Sequence, residues 1–185
     1  MKLTDGEKLI LLMLTDMYKA MKIKGEFDPE FIANTIYKDK LWGFNWELSG
    51  IPWERSEDPP EVRETTNFLD MWRFVEEGYE ALTPAEKTKL AKDAEPFGTH
   101  VKFPGFDGNN EPHYGIANYM LNDMRHRFDS FKGRGDLNSH SHSVESYRRM
   151  YGVFEPIRAN LHNRSLNLAE LTEILNARRH PSQRQ

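Results

Sequence analysis

Apolar side chains in this chain repeat at intervals of three and four residues over long stretches, a spacing that suits helices and defeats strands. Thr65, Phe68, Trp72, Val75, Tyr79 and Leu82 follow one another at 3-4-3-4-3. All six therefore lie along one side of a helix, whereas a strand needs every second residue. Tyr114, Ala117, Leu121, Met124, Phe128 and Phe131 repeat the rhythm and predict a second helix of about five turns. Leu9, Ile10, Met13, Met17 and Met21 form a third stripe, widened by Leu11, Leu12 and Leu14. That breadth predicts a helix buried on more than one side.

Capping signals set where these helices begin. Thr4 with Glu7 and Asn167 with Glu170 read as capping boxes, the second with Leu166 and Leu171 as its hydrophobic staple, on a helix running to about Arg178. Asp28-Pro29 opens a helix reaching about Lys38–Trp42, with Phe27 and Ile32 spaced as a staple. Asp58-Pro59-Pro60-Glu61 and Thr83-Pro84-Ala85-Glu86 use the same grammar, the latter for a helix to Ala94. A short turn is expected at Asn45–Leu48. Ser141 or Ser143 is expected to cap a helix carrying Tyr147, Met150, Tyr151, Phe154 and Leu161, with a kink or break at Pro156. The expectation is an all-α fold: a compact bundle of seven to eight helices without a sheet, one domain over 1–178 and a frayed tail at 179–185.

The 185 residues include no cysteine, which removes disulfides, thiolate zinc sites, Cys nucleophiles and iron–sulfur clusters. The formal charge is -4, against diffuse binding to nucleic acid or anionic membrane. That total is uneven. Residues 1–97 hold 13 basic and 20 acidic side chains, net -7, and residues 98–185 hold 12 and 9, net +3. The basic residues of the first part are 10 Lys and 3 Arg, those of the second 2 Lys and 10 Arg. Arginine offers a fork of donors that fits carboxylates and phosphates, so specific anion contacts belong to the second part, either with a ligand or with the chain's own acids. The apolar run Leu9–Leu14 is too short for a signal peptide or a membrane span, so the cytoplasm is expected.

Four constellations invite a chemical reading. His140 and His142, with Arg134 and Asp136 before them, stand at a spacing that could serve a divalent ion, but their rings alternate sides in extended chain, no HExxH pair accompanies them, and no metal is assigned. Gly105, Asp107, Gly108 and Asn110 form a turn-rich loop ahead of the Tyr114 helix. It lacks phosphate-loop spacing and reads as a cap made by Asp107 or Asn110, with Glu111 facing the helix end. Asp107, Arg134, His140 and His142 are the candidates for a polar, anion-binding site if the 97–110 and 133–143 loops meet. Trp42, Phe44, Trp46 and Trp53 are candidates for an interface, because large aromatics anchor interfaces as well as cores.

Taken together, Leu3-Thr4-Asp5-Gly6-Glu7-Lys8-Leu9-Ile10-Leu11, Gly105-Phe106-Asp107 leading to Glu111 and Tyr114, Leu137-Asn138-Ser139-His140-Ser141, and Tyr147-Arg148-Arg149-Met150 resemble the YfbU family of bacterial proteins. The likeness runs from about Leu3 to Ala177, with this chain longer between Gly43 and Pro60. The resemblance implies a mainly helical cytoplasmic protein and carries over no activity, cofactor or catalytic residue. The expected function is a non-enzymatic module that self-associates and binds an unidentified protein, without cofactor, membrane or nucleic acid. The alternative is a small-molecule or phosphate-binding enzyme with its site between the two loops. A helix-turn-helix reading of the first two helices ranks last, since only Lys38 and Lys40 close the second.

Overall fold

A computed structural model describes residues 2–53, 57–125, 127–180 and 182. Among them are eight α-helices and no strand: α1 Asp5–Ala20, α2 Pro29–Tyr37, α3 Trp42–Glu47, α4 Pro60–Ala81, α5 Pro84–Asp93, α6 Pro112–Asn122, α7 Val144–Arg158 and α8 Leu168–Asn176, with one 3-10 turn at Asp129–Phe131. The fold is all-α, as the periodicity requires. Of the tail expected at 179–185, residues 181 and 183–185 lie outside the described residues, and Arg179 accepts a hydrogen bond from Arg149 through its carbonyl.

The chain forms two compact units, Met1–Pro60 with Asn118–Lys132, and Glu61–Ala117 with Gly133–Gln185. In the first, α1 lies along α2. Phe31 on α2 meets Phe44 on α3 edge-on at 5.9 Å, and Trp42 meets Tyr119 at 5.3 Å. The buried hydroxyls of Thr35 and Tyr119 pair at 2.6 Å. Gly43 allows the approach, because a Cβ there would stand 2.0 Å from the Tyr119 oxygen. The unit also holds an ion pair between Arg127 and Glu47 at 3.3 Å and one between Arg125 and Asp28 at 3.2 Å.

In the second unit α4 supplies the stripe that the sequence announces: Thr65, Phe68, Trp72 and Val75 are all buried. Phe68, Trp72, Phe103, Phe106 and Tyr147 form an aromatic core with centroid separations of 5.4 to 6.4 Å. Helix α8 packs on α5 and α7.

Four expectations are corrected. The Asp28 helix stops at Tyr37, because Asp39 takes a left-handed conformation and a new helix starts at Trp42. The Tyr114 helix ends at Asn122 instead of running to Phe131. There Asp123 accepts from Asn34 and Lys38, and Phe128 is left-handed at φ 54°. Helix α7 continues through Pro156 to Arg158, so it is not broken there, while Leu161 lies buried beyond its end. The largest correction concerns α1. Thr15 is its one buried residue among those described, although its Leu, Ile and Met stripe reads as a face to be buried.

Candidate functional site

The two loops named as a possible site do meet. The N–H of Phe106 donates to the Leu137 carbonyl at 3.1 Å, and the N–H of Ser139 donates to the Phe106 carbonyl at 2.9 Å. A parallel bridge thus joins Phe106 and Asn138. Gly105 makes the junction possible: its φ is +93°, and a Cβ would sit 1.7 Å from the Leu137 oxygen. The Asn138 side chain fastens the next turn by accepting the amides of Gly108 and His140 at 3.1 and 3.0 Å.

Of the four polar candidates, the junction brings two together. Asp107 is buried, and its carboxylate accepts from Asn109 and Asn110 at 3.0 and 2.8 Å. The Asn110 amide, then the Asn109 N–H, hold that carboxyl below the usual aspartate range. His142 stands exposed with Nδ1 at 3.8 Å from Asp107 Oδ2. His140 is exposed and left-handed at φ 51°. Arg134 turns to Glu76 at 2.7 Å, and the same Glu76 oxygen accepts the Phe103 amide. An anion entering between the loops would compete with carboxylates already in place. Among the described residues no group of three or more His, Asp or Glu is placed to hold a metal ion.

The residue that organises the junction is Glu111. Its carboxylate accepts the amides of Ser143 at 2.6 Å, Val144 at 2.8 Å and Asp107 at 2.8 Å, and the Ser143 hydroxyl at 2.7 Å. Burial raises its pKa, but these donors outweigh burial and hold the carboxyl below the ordinary glutamate value. Glu111 was expected to face the start of the Tyr114 helix. It serves α7 instead, at whose N-cap Ser143 makes no side-chain cap bond. The anion that the amides of α7 attract is thus one of the chain's own side chains.

A second polar cluster escaped the sequence reading. His113 is buried, donates or accepts at 2.8 Å between Nε2 and Glu64, and stacks on Phe106 at 5.6 Å. Its Nδ1 is buried without a partner among the described residues. Arg148 grips the same Glu64 through two nitrogens at 2.6 and 2.9 Å. That bidentate contact, helped by His113, outweighs the upward push of burial and holds the Glu64 carboxyl below its usual value.

The aromatic candidates are divided. Trp42 is buried against Tyr119 and Trp46. Trp46 donates its indole N–H to Asp58 at 2.8 Å and lies under Arg127 at 4.8 Å. Phe44 and Trp53 stack at 6.1 Å and line a wholly apolar hollow of about 320 Å³, with Leu3, Leu11, Phe27 and Ile51. Above that hollow runs α1. Leu9, Ile10, Met13, Leu14, Met17 and Met21 are each between 52% and 67% exposed.

The YfbU domain model matches residues 1–177. The chain belongs to the YfbU family. No match was found among curated proteins or among solved structures. The YfbU match covers every candidate residue named above, in both units. No helix of this YfbU chain is long and apolar enough to cross a membrane, among the described residues.

Five of the ten arginines in the second part of the YfbU chain pair with acids of the first. Arg125 meets Asp28, Arg127 Glu47, Arg134 Glu76, Arg148 Glu64 and Arg158 Asp70. Arg149 instead donates to the carbonyls of Ala177, Arg178 and Arg179, where cations suit a helix C-terminus. The charge split between the two parts is therefore in part internal pairing.

Proposed function

We propose that this YfbU chain is a protein-interaction module without catalytic activity, which self-associates through the outer face of α1. One observation carries the reading: five large apolar side chains on α1 and a sixth, Met21, at its C-cap, each more than half exposed. Such a face presents on the order of several hundred Å², the scale at which an apolar patch marks an interaction site. Burying one Leu, Ile or Met side chain fully is favourable by about 1.5–3 kcal/mol. Exposure of six therefore leaves a large driving force for association. Three of them are methionines, whose flexible thioethers adapt to a facing surface.

Sedimentation velocity at micromolar concentration tests the reading at low and high salt. The native chain should sediment as a dimer in both, because apolar association does not depend on charge screening. The double variant Met13→Glu, Met17→Glu should sediment as a monomer with an unchanged far-UV circular dichroism spectrum. A native chain that is monomeric under both conditions overturns the proposal.

A further inference from the structure

We propose that the partner on α1 is a second copy of α1 laid antiparallel, with the two-fold axis between Met13 and Leu14; the inference rests on the self-association above and adds its geometry. At 100° per residue, Gly6, Ile10, Met13, Leu14, Met17 and Met21 fall within an arc of about 100°. One straight seam therefore holds all six. A two-fold axis at its midpoint pairs residues whose numbers sum to 27: Met13 with Leu14, Ile10 with Met17, and Gly6 with Met21.

Size complementarity follows. The middle of the seam pairs branched or flexible apolar chains with one another. At each end a long methionine meets a glycine, and beyond the adjacent residues and the helix's own backbone nothing lies within 4 Å of the place a Gly6 Cβ would occupy. Met21, the most exposed residue of the stripe, has room there.

Charge separates this arrangement from its parallel counterpart. The first turn of α1 carries Asp5 and Glu7, and its last turn carries Lys19, with Lys22 and Lys24 just beyond. Residues 2–8, with Lys2 and Lys8 beside Asp5 and Glu7, are net neutral, and residues 16–24, with Asp16 beside the three lysines, are net +2, so an antiparallel pair sets each basic end beside a neutral one and opposed helix dipoles side by side. A parallel pair would stack the two basic ends on one another. The area is of the same order. The six exposed side chains present on the order of several hundred Å², toward the roughly 800 Å² per partner that a stable dimer buries.

The chain has no cysteine, so single substitutions report contacts without background. Leu14→Cys alone should form a disulfide-linked dimer on mild oxidation with diamide. Ile10→Cys and Met17→Cys should each fail to link alone but link when mixed in equal amounts. Gly6→Leu adds a better helix former yet should weaken the dimer at least tenfold by occupying the space for Met21. Circular dichroism confirms the fold of each variant. Self-linking of Ile10→Cys and of Met17→Cys shows a parallel pair and overturns the inference, as does a dimer in which no variant links. An unchanged dimer affinity in Gly6→Leu overturns the register. A monomeric native chain overturns the self-association beneath it, an outcome distinct from the other three.

Discussion

The carboxylate of Glu111 reaches across 32 residues of sequence to accept the backbone amide of Ser143 at 2.6 Å. With the amides of Val144 and Asp107 and the Ser143 hydroxyl also bound, one side chain caps α7 and ties it to the loop before α6.

Glu111→Ala should cost about 2–3 kcal/mol, since it strands amides at a helix start and removes a charge-assisted set of hydrogen bonds. Glu111→Gln should recover part of that loss, keeping an acceptor without the charge. Urea unfolding followed by circular dichroism measures both, and equal stability of Glu111→Ala and the native chain would contradict the capping role.

The same residue predicts a pH dependence. The folded-state pKa values of Glu111 and Glu64 are depressed, so the unfolded state binds more protons over the interval between the two sets of values. Their contribution is full above the ordinary glutamate value of about 4.3 and is lost as pH falls through the lower folded values. Stability should therefore drop on acidification below about pH 4.3, less steeply in Glu111→Gln than in the native chain.

Glu64 joins a buried histidine to a half-exposed arginine. Glu64→Ala should destabilise by about 2–3 kcal/mol, because it strands His113, whose Nδ1 already lacks a partner among the described residues. Arg148→Ala should cost about 1 kcal/mol, the scale of an exposed pair. A larger loss for Arg148→Ala than for Glu64→Ala would reverse the assignment.

Tyr119→Phe and Thr35→Val each remove one end of the buried hydroxyl pair. Each should cost about 1 kcal/mol, and the double variant should lose less than the sum, by roughly 0.5–1 kcal/mol of coupling. Strict additivity in the cycle would mean that the two hydroxyls do not sustain one another.

Gly105→Ala should destabilise by more than about 2 kcal/mol: φ is +93° and the new methyl would overlap the Leu137 carbonyl. Thermal unfolding should show the loss. A Gly105→Ala chain as stable as the native one would show that the two loops part without cost.

Local features were legible in the chain from the start. The capping boxes of Thr4 with Glu7, Thr83 with Glu86 and Asn167 with Glu170 form as spelled, because each is closed within three residues. Long-range choices were not. Spacing marks α1 as apolar but does not say which side meets the core: Leu11, Thr15 and Tyr18 turn toward the α2 side with Leu14 at the edge of the same hollow, while Leu9, Ile10, Met13 and Met17 stand exposed. The end of α6 depends on Asn34 and Lys38 drawing on Asp123, 85 residues or more away, and periodicity through Phe131 conceals it. Among the site candidates, Asp107 and His142 were placed near one another, whereas the pairing of Arg134 with Glu76 and the roles of Glu111, Glu64 and His113 required the fold.

Five arginines of the second part meet Asp28, Glu47, Glu64, Asp70 and Glu76 of the first. Synthesis runs from the N-terminus, so every one of these acids leaves the ribosome before its arginine exists. Residues 1–97 by themselves carry net -7, and none of these five ion pairs can form while only they have been made. These five closures of the fold therefore wait until residues 125–158 are made.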